Sequence, residues 1–172
     1  MQQSKNNLIV RPDGQLSFGQ QLFRCALGSG GRQLQKTEGD GVTPVGRWPL
    51  RQVLYRPDRL SAPDCPLPVT ALVSDDGWCD DPAHRDYNRP VKLPHEASCE
   101  ELWRRDHVYD IIVTLGHNDS PVITGAGSAV FFHLARPQFE ATQGCVAVTQ
   151  DDMLVILAHL TPGCIMEIQA GG

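Results

Sequence analysis

HNDSPVITGAGSAVFFHLARPQFEATQGCVAV, residues 117–148, is the stretch on which the reading of this chain turns. Within it Ser128 to Leu134 is mostly apolar, with Val130, Phe131 and Phe132 at its centre, the composition of a buried strand, and it delivers His133 at its end. A small polar turn, Thr142-Gln143-Gly144, then leads into Cys145 and a second apolar run ending at Val148. Glycine beside the cysteine lets backbone approach a substrate closely, and the amides of Gly144 and Cys145 are candidate donors to a developing oxyanion. A free thiol is only a few per cent ionised at neutral pH, so a cysteine nucleophile needs a base, and His133 is the candidate. The competing reading is a satisfied core histidine at a strand end.

Outward from this stretch, short β-type runs alternate with Gly and Pro punctuation: Leu8 to Val10, Gln21 to Leu27, Trp48 to Tyr55 and Val69 to Val73. Further runs follow at Val108 to Leu115, Cys145 to Val148 and Cys164 to Ile168. The pattern predicts a mainly β, mainly antiparallel assembly rather than alternating βαβ units. Two helices are expected, Ser98 to Arg105 and Asp151 to Leu160, each with capping-box spacing, Ser98 with Glu101 and Thr149 with Asp152. In the second, Met153, Leu154, Leu157 and Leu160 form an apolar stripe suited to core packing. The irregular stretch from Ser74 to Pro94 is read as a functional or covering loop.

The 172 residues suit one domain, 1–172. A net charge of -5 with the two signs interspersed lacks the basic face that nucleic acid requires. No stretch reaches the roughly 20 apolar residues of a membrane span. The N-terminal residues carry no apolar run of the export type, so a cytoplasmic location is expected. Six cysteines are scattered with no CxxC pair, which gives little support for a metal cluster, and neither metal nor cofactor is expected.

The cysteine stretch resembles the catalytic segment of YkuD-type L,D-transpeptidases: a His, a loop, then Ser/Thr-X-Gly-Cys and an apolar residue, here His133 followed by Thr142-Gln143-Gly144-Cys145-Val146. GDGVTPVGRWPL at Gly39 to Leu50 resembles the family's early Thr-Pro-x-Gly-x-aromatic turn, and YDIIVTLGHND and GAGSAVFFH extend the similarity over most of the chain. The resemblance implies a mixed β-sandwich with about two short helices. It further implies that Cys145 attacks the carbonyl of an L-configured diamino acid joined to a D-amino acid in a peptidoglycan stem peptide. His133 would be the general base, Gly144 and Cys145 would supply the oxyanion amides, and Thr142 would shape the turn.

Departures from the family pattern fall at Gln143, where many members have His, at Ala147, where Arg or Asn is common, and at Leu134, where Gly is common. Substrate contacts are sought at Arg136, whose planar fork suits a carboxylate, and at His117 and Asn118, in the turn after a strand. An ion pair is the plain alternative for Arg136 and turn formation for the other two. Trp78, Tyr87 and Arg89 either cover the site or pack beneath their loop. The expectation is an L,D-carboxypeptidase trimming tetrapeptide muropeptides. Its rivals are a cross-linking or exchanging L,D-transpeptidase, a silent muropeptide-binding module, and a general cysteine protease or amidase.

Overall fold

The computed structural model describes residues 7–171. In chain order its strands are β1 (Leu8–Val10), β2 (Gln15–Phe18), β3 (Gln21–Arg24), β4 (Arg32–Gln33), β5 (Thr43–Pro44), β6 (Gly46–Tyr55) and β7 (Val69–Ala71). There follow β8 (Asp76–Cys79), β9 (Pro90–Lys92), β10 (Cys99–Glu101), β11 (Ile111–Leu115), β12 (Phe131–Leu134) and β13 (Val146–Val148). Helix α1 (Gln150–Ala158) and strand β14 (Ile165–Ile168) complete the described chain.

The main sheet runs β13-β12-β11-β6-β14-β1-β2-β3, with β7 added beside β6. Its two ends meet, because Ala26, just past β3, exchanges backbone hydrogen bonds of 2.8 and 3.0 Å with Ala147 in β13. A sheet joined in this way has the barrel-like form of a mainly β fold and leaves less edge unpaired. The assembly is mainly antiparallel, as expected, with parallel pairs where β1 meets β14, β6 meets β7 and β12 meets β13.

Strands β11, β12 and β13 are buried along their whole length, so both of their faces are covered. One face carries Ile111, Val113, Phe132, Leu134, Val146 and Val148 into the main core, where Met153, Ile156 and Leu157 of α1 also pack. The other carries Ile112 and Phe131 toward Leu72, Trp78, Leu102 and Tyr109. Continuous apolar strands without polar alternation are the sequence form of this two-sided burial.

α1 is the single helix among the described residues and begins as its capping spacing predicts, with the Thr149 hydroxyl accepting from Asp152 N. Nine residues are too few to cross a membrane. The helix expected over Ser98 to Arg105 is absent; Cys99–Glu101 is strand β10, paired antiparallel with β8. Besides Cys99 only Leu102 and Trp103 are apolar in that segment, so it lacks a stripe long enough to offset helix nucleation, and cross-strand pairing wins. Likewise the irregular stretch of residues 74–94 contains β8 and β9, which with β10 make a three-stranded sheet over the second core.

Asn88 ties this small sheet to the main one. Its backbone sits at φ 55°, a region Asn tolerates better than most residues. Buried, it accepts from Trp78 Nε1 at 2.9 Å and Ala129 N at 3.0 Å and donates to the carbonyls of His117 and Asn118 at 3.2 and 2.7 Å. Replacing Asn88 with Ala orphans two buried donors and two acceptors, so the variant is expected to lose about 2 to 4 kcal/mol in urea unfolding. A loss under about 0.5 kcal/mol, the range of an ordinary surface change, would refute this role.

Candidate active site

Parallel pairing of β12 and β13 sets Phe132 opposite Val146 and His133 opposite Ala147. Successive side chains alternate between faces, so Phe131, His133, Cys145 and Ala147 share the face away from α1. His133 lies two residues further along than the position opposite Cys145; strand spacing and rise put their Cα atoms roughly 8 Å apart. An imidazole side chain can bridge such a gap. The small methyl of Ala147 leaves room beside His133, and a long side chain there would occupy the same cavity.

The turn before Cys145 is held by its own side chain and by neighbouring backbone. Thr142 Oγ1 donates to the Cys145 carbonyl at 2.7 Å and accepts from Gly144 N at 3.1 Å. Gly144 adopts φ 125°, and a Cβ there would lie 2.7 Å from the Val42 carbonyl. That carbonyl belongs to the Gly39 to Leu50 segment, whose Thr43 hydroxyl also accepts from Gly28 N at 2.8 Å. The two stretches that carry the family resemblance are thus packed against each other. Of the two amides expected to hold an oxyanion, that of Gly144 is engaged by Thr142, whereas the Cys145 N–H has no acceptor among the described residues.

Cys145 Sγ donates to the Ala129 carbonyl at 3.2 Å and accepts from Phe131 N at 3.3 Å. Burial, and then the negative field of Glu100, push its thiol up to about 12, against the opposing Phe131 N–H and the Lys36 ammonium. His133 is brought down to about 4, chiefly by burial. Its Nδ1 donates to the Leu134 carbonyl at 2.9 Å, which leaves the Nε2 lone pair as the basic site. Tyr109 packs edge-on against the imidazole, with centroids 5.2 Å apart, and its hydroxyl donates to Glu100. The sequence suggests a thiolate raised by histidine. In the structure, burial outweighs that pairing and both groups are neutral, with no hydrogen bond between them.

A cavity of about 460 Å³ exposes this pair. Arg136 lines it, as anticipated, but its side chain is 47% exposed and pairs with Asp106 at 3.2 Å. Arg104, hidden in the segment read as helix, also lines it and holds Asp106 through two bonds of 2.8 and 2.7 Å. An acidic side is formed by Glu38, Asp80 and Glu100, with Asp80 Oδ1 buried and without a partner. Lys36 reaches the cavity with its ammonium on Asp40 and the Val42 carbonyl, at 2.9 and 2.8 Å. None of these charges stands in a recognisable motif; only their three-dimensional convergence marks them.

His117 and Asn118 lie outside the cavity lining. His117 is buried against Trp48, ring centroids 4.8 Å apart, and Asn118 closes its own loop through bonds to Ile123 and Gly127. Asn118 thus serves its turn, as its chemistry allows, while the buried Nδ1 of His117 has no hydrogen-bond partner among the described residues. Tyr87 and Trp78 are likewise packed beneath their loop, Tyr87 donating to Glu38 at 2.5 Å.

The site supports attack by sulfur once a proton passes from Cys145 to His133, with a single free amide beside the developing negative oxygen. Because the raised thiol ionises only at high pH, alkylation of Cys145 by iodoacetamide in the free protein should be slow at pH 7. It should climb about tenfold per pH unit between roughly pH 7 and 10. A plateau around neutrality in the mass-resolved alkylation rate of the Cys145 peptide would reveal a preformed ion pair and contradict this electrostatic picture.

Comparison with protein families finds a match to the YkuD L,D-transpeptidase catalytic domain over residues 3–168. Among solved structures the chain is similar to L,D-transpeptidase 1 of Mycobacterium tuberculosis, at 11% identity and a TM-score of 0.43, over 96% of this chain. It spans 60% of the length of that protein. Comparison with curated protein sequences finds no match. With the family match covering nearly every described residue, the chain belongs to the YkuD family of L,D-transpeptidase catalytic domains.

Proposed function

We propose that this protein is an L,D-carboxypeptidase that removes the terminal D-amino acid from tetrapeptide stems of muropeptides, acting in the cytoplasm. The observation that carries the reading is the shared cavity of Cys145 and His133, whose lining also holds Arg104 and Arg136 and the carboxylates of Glu38, Asp80 and Glu100. Arg104 and Arg136 suit the terminal carboxylate of the D-residue. Arg136, half exposed and already paired, contributes only about 0.5 to 1 kcal/mol. The acidic side suits the free ammonium of a diamino acid.

In the first step Nε2 of His133 takes the thiol proton as Cys145 Sγ bonds to the carbonyl carbon of the L-centre, and the carbonyl oxygen becomes anionic beside the Cys145 N–H. Collapse breaks the C–N bond; the departing amine takes the proton from His133, leaving a thioester on Cys145. Water then gives a proton to His133 and its oxygen to the acyl carbon, and the thiol leaves with that proton. A cavity of about 460 Å³ is of a size for the reacting end of one stem, which favours water over a second stem as acceptor.

One observation favours a silent binding module instead: the thiol is bonded to Ala129 and Phe131 rather than to His133. Incubation with a disaccharide tetrapeptide, with and without added D-amino acid, separates the readings by product mass. Release of D-Ala as the main product, lost in Cys145→Ala by at least about 10³-fold, is expected. Faster formation of cross-linked dimers or exchanged stems would replace hydrolysis with transpeptidation, and binding without turnover would leave the module. An N-terminal reporter fusion tests the cytoplasmic location.

A further inference from the structure

Behind the cavity's acidic side lies a second group of reactive side chains that the acyl-transfer chemistry does not use. Cys79 ends β8, is fully buried, and faces Cys99 of β10 directly across the antiparallel ladder. Between them the chain passes through His84 and His95, giving Cys79-x4-His84-x10-His95-x3-Cys99. One ligand atom from each of Cys79, His84 and His95 lies within 4.8 Å of the other two. The Cys99 thiol interacts with that of Cys79, and both are free thiols. The imidazoles meet edge-on, with centroids 5.0 Å apart.

We propose that Cys79, His84, His95 and Cys99 hold a structural zinc ion. Two sulfurs and two imidazoles are the ligand set of closed tetrahedral zinc sites, and neither calcium nor magnesium favours it. Zinc bonds of about 2.0 to 2.3 Å put tetrahedral donors roughly 3.3 to 3.8 Å apart, so Cys79, His84 and His95, which lie within 4.8 Å of one another, close by roughly an ångström, and Cys99 joins them through its contact with the Cys79 thiol. Outer partners of the kind such sites use are in place: His84 Nε2 meets Glu96 at 2.9 Å and His95 Nε2 meets Asp86 at 3.2 Å. The remaining nitrogens carry lone pairs that now accept backbone N–H groups at 3.2 and 3.1 Å. Binding releases the two thiol protons, leaving a neutral centre of one divalent cation and two thiolates.

The placement gives the ion a mechanical role. Asp80 and Glu100, each next in sequence to a cysteine ligand, lie on the cavity wall. Tyr87 and Asn88, between the two halves of the ligand set, bond to Glu38, Gly127 and Ala129 around the catalytic face. A zinc ion here clamps the small sheet and fixes the acidic side of the cavity, at a site separate from Cys145.

The tag-free full chain, purified without chelator, is expected to contain about one zinc per molecule by plasma mass spectrometry. Cobalt added to the metal-free protein should give the strong visible bands of a tetrahedral site with a thiolate charge-transfer band. Cys79→Ser and His95→Ala should lose the metal, Cys99→Ser should weaken the charge-transfer band, and Cys145→Ala should keep full zinc content. If the variants fail to fold, the cobalt spectrum of the unaltered chain still decides. Wild-type protein that carries no zinc and shows no charge-transfer band with cobalt would overturn the proposal, as would a Cys79–Cys99 disulfide in protein isolated under reductant.

Discussion

Everything about the site depends on the parallel hydrogen bonding of β12 to β13. With that register, alternation along the two strands puts His133 and Cys145 on one face and Phe132, Leu134, Val146 and Val148 on the other. The apolar face anchors both strands beneath α1, so the reactive pair is positioned by the main core rather than by a loop. A slip of one residue in either strand would turn His133 or Cys145 into the core and an aliphatic side chain into the cavity. Such a slip is opposed by all four apolar residues together, which is why a short four-residue strand holds its register.

Burial, which gives that precision, also sets the chemistry of the resting site. Burial removes most of the solvation of the sulfur and the imidazole and so disfavours charge on both. The neutral pair keeps the correct tautomer for accepting a proton, with Nδ1–H fixed on Leu134. Charge is called up only when a carbonyl carbon is presented to the sulfur and the proton has somewhere to go. Among the surrounding charges Arg104 and Arg136 are held by Asp106 and Lys36 by Asp40, whereas Glu100 accepts from the Tyr109 hydroxyl and its negative field helps keep the Cys145 thiol protonated.

That His133 and Cys145 come together was legible because the information is local: an apolar run ending in His133 and a glycine turn ahead of Cys145 are read within a few residues. The strands of the main sheet were legible for the same reason, as was the Thr149 cap of α1. Ser98 to Arg105 misled because capping spacing is satisfied by chance, while the partner that makes Cys99–Glu101 a strand lies some twenty residues upstream in β8. Arg104, Glu100 and Lys36 reach the cavity only after several crossovers, and no spacing announces them. His117 and Asn118 were drawn toward the site by their place in a strand-end turn, but the Asn118 side chain is bonded within that turn and the His117 ring is buried against Trp48. The Cys79 to Cys99 cluster did have a local signal in its mixed Cys-His spacings, overlooked by a search for CxxC pairs.

The central claim is that Cys145 carries the acyl group of a stem peptide. Rapid acid quenching of the protein with tetrapeptide muropeptide, followed by digestion and mass spectrometry, measures this directly. The account requires the stem, less its terminal D-residue, on the peptide containing Cys145 and on none of the peptides containing the other cysteines. D-residue release with no adduct on Cys145 at any quench time, or an adduct on another cysteine, would contradict it.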